Sequence, residues 1–432
     1  MPHPALPDRR AGWLTSTLGR RPLALALLSA VLLLQLCVTP AHAATLRVTT
    51  ASCMDGGGIT WHTKVKWGGT YTSGGTKKVS VDYAGWTSTL GLIATDSSVK
   101  SYDGSGRLVS TLTKVATVDY QQGTVYDGRN PVNPASGGAK VVIRVGRDRD
   151  GFASCSVTHR EGAADPVIAA VGDMVCPPGY TATPSTCQHM AVSDSILAAK
   201  PSDFLALGDT QYGEGTPEQY AQAYQPSFGR LKKITRPVAG NHEYRTPGAG
   251  GYFGYFGTAA GDRARGYYSF DVGSWHVVAL NSEVDISSTG AQLAWLKNDL
   301  AVNSSPCTLA MLHKPRFSSG GHGDYTSMKP FFDELVAARA ELLLSGHDHN
   351  YERFSPMTGS GARSDSTGVT QLVVGTGGKS LNGTVTATYN SVVRSQAGHG
   401  WLKLTLRPTS ADLSYVGVGD NPFTDRKTIA CR

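Results

Sequence analysis

The sequence predicts an α/β domain with a mixed sheet, preceded by an all-β module and an export segment. Three observations predict it. Residues 44 to about 160 alternate apolar and polar side chains with a period of two, between clusters of Gly and Ser. From residue 166 onward, short unbroken apolar runs exchange with helix-spaced apolar stripes. Ahead of both, Arg9, Arg10, Arg20 and Arg21 precede the apolar run 23–38, and Ala41-His42-Ala43 offers a small-x-small cleavage site.

The apolar run holds 16 residues, short of the roughly 20 that span a bilayer. Residues 1–43 therefore read as a signal peptide cleaved after Ala43, which makes the protein secreted and without stable membrane association. Arg20-Arg21 loosely suggests the twin-arginine route, and Leu36 before Cys37 makes a poor lipobox. A chain of 432 residues with 40% apolar content suits two globular domains and excludes a disordered chain or a polytopic membrane protein. Residues 44–432 carry 36 basic and 32 acidic side chains, a balance of +4, so no nucleic-acid footprint is expected. They also carry six cysteines with no CxxC spacing, which in an exported chain reads as disulfides. The pairing expected is Cys53–Cys155, Cys176–Cys187 and Cys307–Cys431, although spacing alone does not fix it.

In the first module, residues 44–160, the stretch 59–67 sets Trp61, Val65 and Trp67 on one side and His62, Lys64 and Lys66 on the other. Val79, Val81 and Tyr83 repeat the pattern, as do Val141, Ile143 and Val145. An Ig-like sandwich is the natural solution, with Cys53 and Cys155 clamping its first and last strands. Trp61, Trp67 and Trp86 are assigned to its core in preference to a sugar-binding platform. The second domain, residues 161–432, opens with the apolar runs Val167–Val171, Leu205–Leu207 and Leu342–Leu344, read as buried strands. Thr289 with Gln292 forms a capping box ahead of Leu293, Leu296 and Leu300; Phe332, Leu335, Val336 and Ala340 stripe a second helix. Gly266–Ser282 and Trp401–Val416 read as antiparallel hairpins, with His276 a strand residue and His62 exposed.

Five polar clusters follow apolar strands: Gly172-Asp173, Gly208-Asp209-Thr210-Gln211-Tyr212, Gly240-Asn241-His242-Glu243, Leu312-His313 and Gly346-His347-Asp348-His349. In open α/β sheets the carboxyl ends of strands meet at one crevice. Asp173, Asp209, Tyr212, Asn241, His313, His347 and His349 then become a donor inventory of carboxylate, phenol, amide and imidazole, suited to Zn, Fe, Mn or Ni. Seven donors are too many for one catalytic ion and about right for two, the arrangement that phosphoester hydrolysis uses. Asp209, in the middle of the set, is the carboxylate expected to bridge them.

The ordered set GD…GDxxY…GNHE…H…GHxH resembles the calcineurin-like metallophosphoesterases. With Tyr212 and the tail running from Gly346 to Arg353, it is most similar to purple acid phosphatases; the likeness covers about residues 166 to 416. It implies an α/β/β/α metallophosphoesterase sandwich. It also implies one metal held by Asp173, Asp209, Tyr212 and His349, and a second held by Asp209, Asn241, His313 and His347. The common first motif, DxH, is absent because Met174 and Val175 follow Asp173, and Tyr212 stands where the subfamily places a phenolate. A phenolate favours Fe(III), partnered by Fe(II), Zn(II) or Mn(II). Val175 departs from the subfamily's usual GDxG. The resemblance further implies that His242 contacts phosphate and protonates the leaving oxygen and that Glu243 orients His242. His322, in a Gly-rich loop, lines the mouth, and Tyr351, Glu352 and Arg353 buttress the site. The implied activity is hydrolysis of a small phosphate monoester by in-line attack of a metal-bound hydroxide. A phosphodiesterase or nucleotidase would share every ligand; a cell-wall or polysaccharide-binding protein with a degenerate catalytic domain is the non-enzymatic alternative. The sequence leaves the oligomeric state open.

Overall fold

The computed structural model describes residues 165–432, apart from 304, 383–386 and 389, together with the backbone of nine strands between Val48 and His159. Residues 1–43 and the side chains of His62, Trp61, Trp67 and Trp86 lie outside the described residues.

The period-two segments between residues 48 and 159 do become strands. Val48–Met54, Thr60–Ser73, Thr76–Ser88 and Gln122–Asp127 form one sheet in that order, with Pro131–Val132 added to Thr76–Ser88. Leu108–Lys114, Asp96–Tyr102, Ala139–Arg147 and Gly151–His159 form another. Every pairing is antiparallel, as alternation between short turns requires. Cys53 is disulfide-bonded, and the side chain of Cys155, the partner expected for it, lies outside the described residues.

Residues 165–432 form two mixed sheets. In the first, Thr235–Val238, Asp203–Leu207 and Val167–Val171 run parallel, and Gly400–Arg407, Ser410–Gly417 and Arg426–Ala430 continue antiparallel. The second orders Tyr268–Val272, Trp275–Ala279, Cys307–Met311, Leu342–Ser345, Thr370–Val374, Tyr351–Phe354 and Ser391–Ser395. Its central four strands are parallel. Alternation along those strands sorts the core. Val277, Leu309, Leu342, Leu344 and Leu372 join Val171, Leu205 and Leu402 between the sheets. Val278, Ala310, Leu343 and Val373 point the other way, onto Leu293 and Leu296 of helix Ala291–Val302 and Phe332 and Leu335 of helix Lys329–Ala337. Helix His189–Ala199 packs Val192 and Ile196 against the first sheet. The layering is helix, sheet, sheet, helix.

The two hairpins and the three buried strands form where the sequence placed them. Disulfides Cys176–Cys187 and Cys307–Cys431 are present. Two local expectations are corrected. The helix after Thr289 has Gly290 as its cap, without a side-chain hydrogen bond. Gln292 is drawn away because its amide is bonded to both backbone groups of Asn281, at 2.7 and 2.9 Å. Ala340 is buried beyond the end of its helix, not on its stripe.

Candidate metal centre

All five polar clusters begin at or just beyond the carboxyl end of a parallel strand. Three of those strands belong to the first sheet and two to the second, so the crevice is shared by two sheets packed face to face. Reaching it takes sharp turns. Asp173, Asp209 and His347 adopt φ of 59°, 43° and 73°, a left-handed conformation that costs about 1–2 kcal/mol for an L-residue. Gly208 (φ 82°) also lies where a Cβ would strike the His313 ring. Gly240 serves close approach: a Cβ there would collide with the Asp209 carboxylate.

One half of the site is a triangle. The Tyr212 hydroxyl lies 2.9 Å from Asp173 Oδ1 and 2.9 Å from His349 Nε2, and those two are 3.4 Å apart. His349 Nδ1 contacts Ser380 Oγ at 3.0 Å, and His347 N donates to Asp173 Oδ2 at 2.8 Å. The other half centres on His313. Its Nδ1 lies 2.9 Å from the Leu207 carbonyl, so that nitrogen carries a proton and Nε2 is the one left for a cation. Around Nε2 stand Asn241 Oδ1 at 3.2 Å, His347 Nδ1 at 3.2 Å and Asp209 Oδ2 at 3.4 Å. Asp209, His313 and His347 form a group able to hold a metal ion. The two halves are joined where His347 N bonds Asp173, and Asp209 is felt in both: burial and the charges of Asp173 and Asp209 raise the pKa of Tyr212, and Asp209 lies against His313.

These spacings fit cations. Bonds of about 2.1 Å at right angles place neighbouring donors about 3.0 Å apart. The charge pattern fits as well. Burial would raise Asp173 and Asp209, yet His349 holds the first and His313 the second below the ordinary carboxylate range. Burial would lower His313, yet Asp209 lifts it to about 10, while burial and His313 push His347 down to about 3. The spot favours positive charge, and a cation that displaces the His313 Nε2 proton would meet lone pairs of two imidazoles, an amide and a carboxylate.

His242 borders the centre. Its Nδ1 is bonded to the Gly213 carbonyl at 2.6 Å, which leaves Nε2 facing Asp209 Oδ2 at 3.9 Å. Its ring packs on Tyr212 with centroids 4.2 Å apart. The role expected for Glu243 is corrected here. Glu243 is fully buried, and its carboxylate does not bond His242. It accepts from Thr210 N (2.8 Å), Thr210 Oγ1 (3.0 Å), Gln211 N (3.2 Å), Tyr220 Oη (3.3 Å) and Gly240 N (2.6 Å). Glu243 thus ties the Asp209 turn to the Asn241 turn. Burial and the charge of Asp209 lift its carboxyl to about 7 against those donors.

His322 is exposed and stacks on His347 with centroids 4.2 Å apart. Asp348 fixes that loop by accepting from His322 N at 2.9 Å and from Ser318 Oγ at 2.5 Å. Tyr351 and Arg353 are bonded to Asp425, Arg353 through two nitrogens at 2.7 and 2.9 Å. Glu352 accepts from Ser319 N and Oγ. Sequence reasoning missed Gly213, Ser380 and Lys379, whose neighbours are distant in the chain. Only the Gly-rich run Gly375–Ser380 after an apolar strand hinted at the last two.

Residues 166–351 match the family model described as calcineurin-like phosphoesterase. Purple acid phosphatase 23 of Arabidopsis thaliana is 30% identical over 227 residues, covering 44% of this chain and 47% of its own length. A relative named probable inactive purple acid phosphatase 9, also from Arabidopsis thaliana, is 26% identical over 356 residues, covering 67% of this chain and 54% of its own length. The chain thus spans about half the length of the curated relatives it matches. Among solved structures, a purple acid phosphatase isolated from yellow lupin (Lupinus luteus) seeds superposes with a TM-score of 0.54 at 16% identity, covering 86% of this chain and 79% of that one.

Proposed function

We propose, from the match of residues 166–351 to the calcineurin-like phosphoesterase model, that this protein is a secreted binuclear-metal phosphatase acting on small phosphate monoesters. The observation that carries the reading is a pair of adjoining donor clusters, Asp173–Tyr212–His349 and Asp209–Asn241–His313–His347, joined by the bond from His347 N to Asp173. Two bound cations, Fe(III) in the Tyr212 half and Fe(II), Zn(II) or Mn(II) in the Asn241 half, would activate water and neutralise phosphoryl charge. The remaining roles belong to side chains. His242, its tautomer set by Gly213, presents Nε2 toward the crevice and can hold the proton that a leaving oxygen needs. His322, braced by Asp348 over His347, lines the entrance. Glu243 positions both turns and touches no substrate.

Export rests on residues 1–43 as a signal peptide and is supported by the disulfides Cys176–Cys187 and Cys307–Cys431. No described helix is long and apolar enough to cross a membrane. The strands between Val48 and His159 are read as an Ig-like module that supports the catalytic domain. A binding role with a degenerate site is disfavoured because all seven donors stand in the crevice.

Elemental analysis, a visible spectrum and turnover of p-nitrophenyl phosphate against its bis ester test this reading. The expected result is two metal ions per chain, a violet band and preference for the monoester. A metal-replete protein that turns over neither ester rejects the enzyme; preference for the bis ester makes it a diesterase.

A further inference from the structure

We propose that Lys379 forms an anion subsite beside the metal centre, which selects phosphoesters carrying a second phosphate group. The inference deepens the phosphatase reading and rests on it for the first phosphate only. Lys379 lies in the Gly375–Ser380 run, and its backbone is part of the centre's scaffold. Its N–H donates to the Asp173 carbonyl at 3.1 Å, and the next residue, Ser380, contacts His349. On the outer side, Cys187 N donates to the Lys379 carbonyl at 3.1 Å and Gln188 N to that of Gly378 at 2.8 Å. The loop closed by Cys176–Cys187 therefore holds this run in place.

The side chain is placed differently. Lys379 Nζ stands 5.4 Å from the centre of the Tyr212 ring and 6.0 Å from that of Tyr180. Tyr212 is the ring whose hydroxyl joins Asp173 and His349, whereas Tyr180 is 65% exposed on the disulfide-closed loop. The ammonium group thus sits on the rim, one tyrosine ring away from the donor triangle and toward solvent. No carboxylate among the described residues lies within ion-pair distance of it. Two ring faces are weak partners for a cation and leave its N–H donors available. An ammonium group is a point-charge binder of phosphate, and here it stands beside a centre suited to phosphoryl oxygens. A monoester whose one phosphate is held by the centre has no second anion to offer this cation. A diphosphorylated ester can present its second phosphate.

The test uses the metal-loaded full chain and two ligands that cannot be hydrolysed, propylphosphonate and propane-1,3-diphosphonate, titrated by calorimetry with metal content checked before and after. Turnover of fructose 6-phosphate and fructose 1,6-bisphosphate is measured in parallel. Lys379→Gln should lower the ratio of diphosphonate to monophosphonate affinity about tenfold, and Lys379→Arg should keep it. Each ratio is internal to one variant, so partial loss of folded protein cancels. An unchanged ratio in Lys379→Gln overturns the subsite. An equal fall for both ligands also overturns it, because Lys379 would then serve the centre itself. If wild type turns over neither ester while the affinity ratio still depends on Lys379, the phosphatase reading fails and the subsite stands.

Discussion

Replacing Glu243 by Gln separates two accounts of this residue. The structure gives its carboxylate three backbone N–H donors, from Thr210, Gln211 and Gly240, and two hydroxyl partners. A carboxylate accepts on both oxygens, but a carboxamide accepts on one. The amide nitrogen does least harm facing Gly240, where it leaves one buried N–H opposed by another donor. That loss costs about 1–3 kcal/mol, and weaker neutral bonds to Thr210 and Gln211 bring the total to about 2–4 kcal/mol. For a domain of this size the melting temperature should drop by about 5–15 °C. Because the freed N–H belongs to the residue before Asn241, metal content should fall with it. Calorimetry, elemental analysis and a pH–rate profile on the same sample decide the matter. Unchanged melting and metal content, with only the acid limb of the profile shifted, would refute the bracing role and restore one acting through His242.

Three other substitutions probe separate parts of the molecule. Tyr212→Phe removes one corner of the triangle, so iron-loaded protein should lose its violet band while keeping the ion at Asp209, His313 and His347, as read by visible spectroscopy with elemental analysis. Asp209→Asn withdraws the carboxylate felt in both halves; kcat should fall by at least about 10²–10³-fold, with loss of metal from both halves by elemental analysis. His276→Gln removes the imidazolium that lies 2.9 and 2.8 Å from the buried carboxylates of Asp271 and Asp299 and should cost about 3–5 kcal/mol by denaturant melts. Burial would lower the His276 pKa, but Asp299 and Asp271 raise it to about 10 from about 6.5. Its contribution is therefore complete below about pH 6.5 and lost as pH rises through 10, and the gap between wild type and variant should narrow over that window.

What could be read in advance was local. A run such as Val167–Val171 followed by Gly172-Asp173 carries its own signal of strand, sharp turn and polar tip, and all five such tips reach the crevice. The Ala291–Val302 helix was equally legible from its apolar spacing, but its cap was not, because Gln292 has better partners in both backbone groups of Asn281 than in its own N-terminus. Glu243 was recognised and given the wrong target, since the turn it braces lies 32 and 33 residues earlier in the chain. The partners of Lys379 are farther still, at Asp173, Tyr212 and Tyr180. His276 is a different case: hairpin register sets it directly across from Asp271, so cross-strand pairing could have exposed half of the ion cluster.

The division of donors between two sheets explains why so much strain is tolerated at one place. Asp173 and Asp209 end parallel strands of one sheet, while His313 and His347 follow parallel strands of the other. Were the sheets free to slide, the 3.4 Å contact between Asp209 and His313 would not persist. They are locked by the shared buried core of Val171, Leu205, Val277, Leu309 and Leu344, since close-packed interiors resist sliding. Three candidate donor residues with positive φ would together destabilise an isolated loop by several kcal/mol. Here each is bounded on one side by a buried strand and on the other by hydrogen bonds that cross from one turn to another, such as Asp209 to His242 N and Asp173 to His347 N. Donor geometry is thereby set by the fold before any cation arrives, which lets the spacing of side chains, and not ligand-driven collapse of a flexible loop, decide which ions fit.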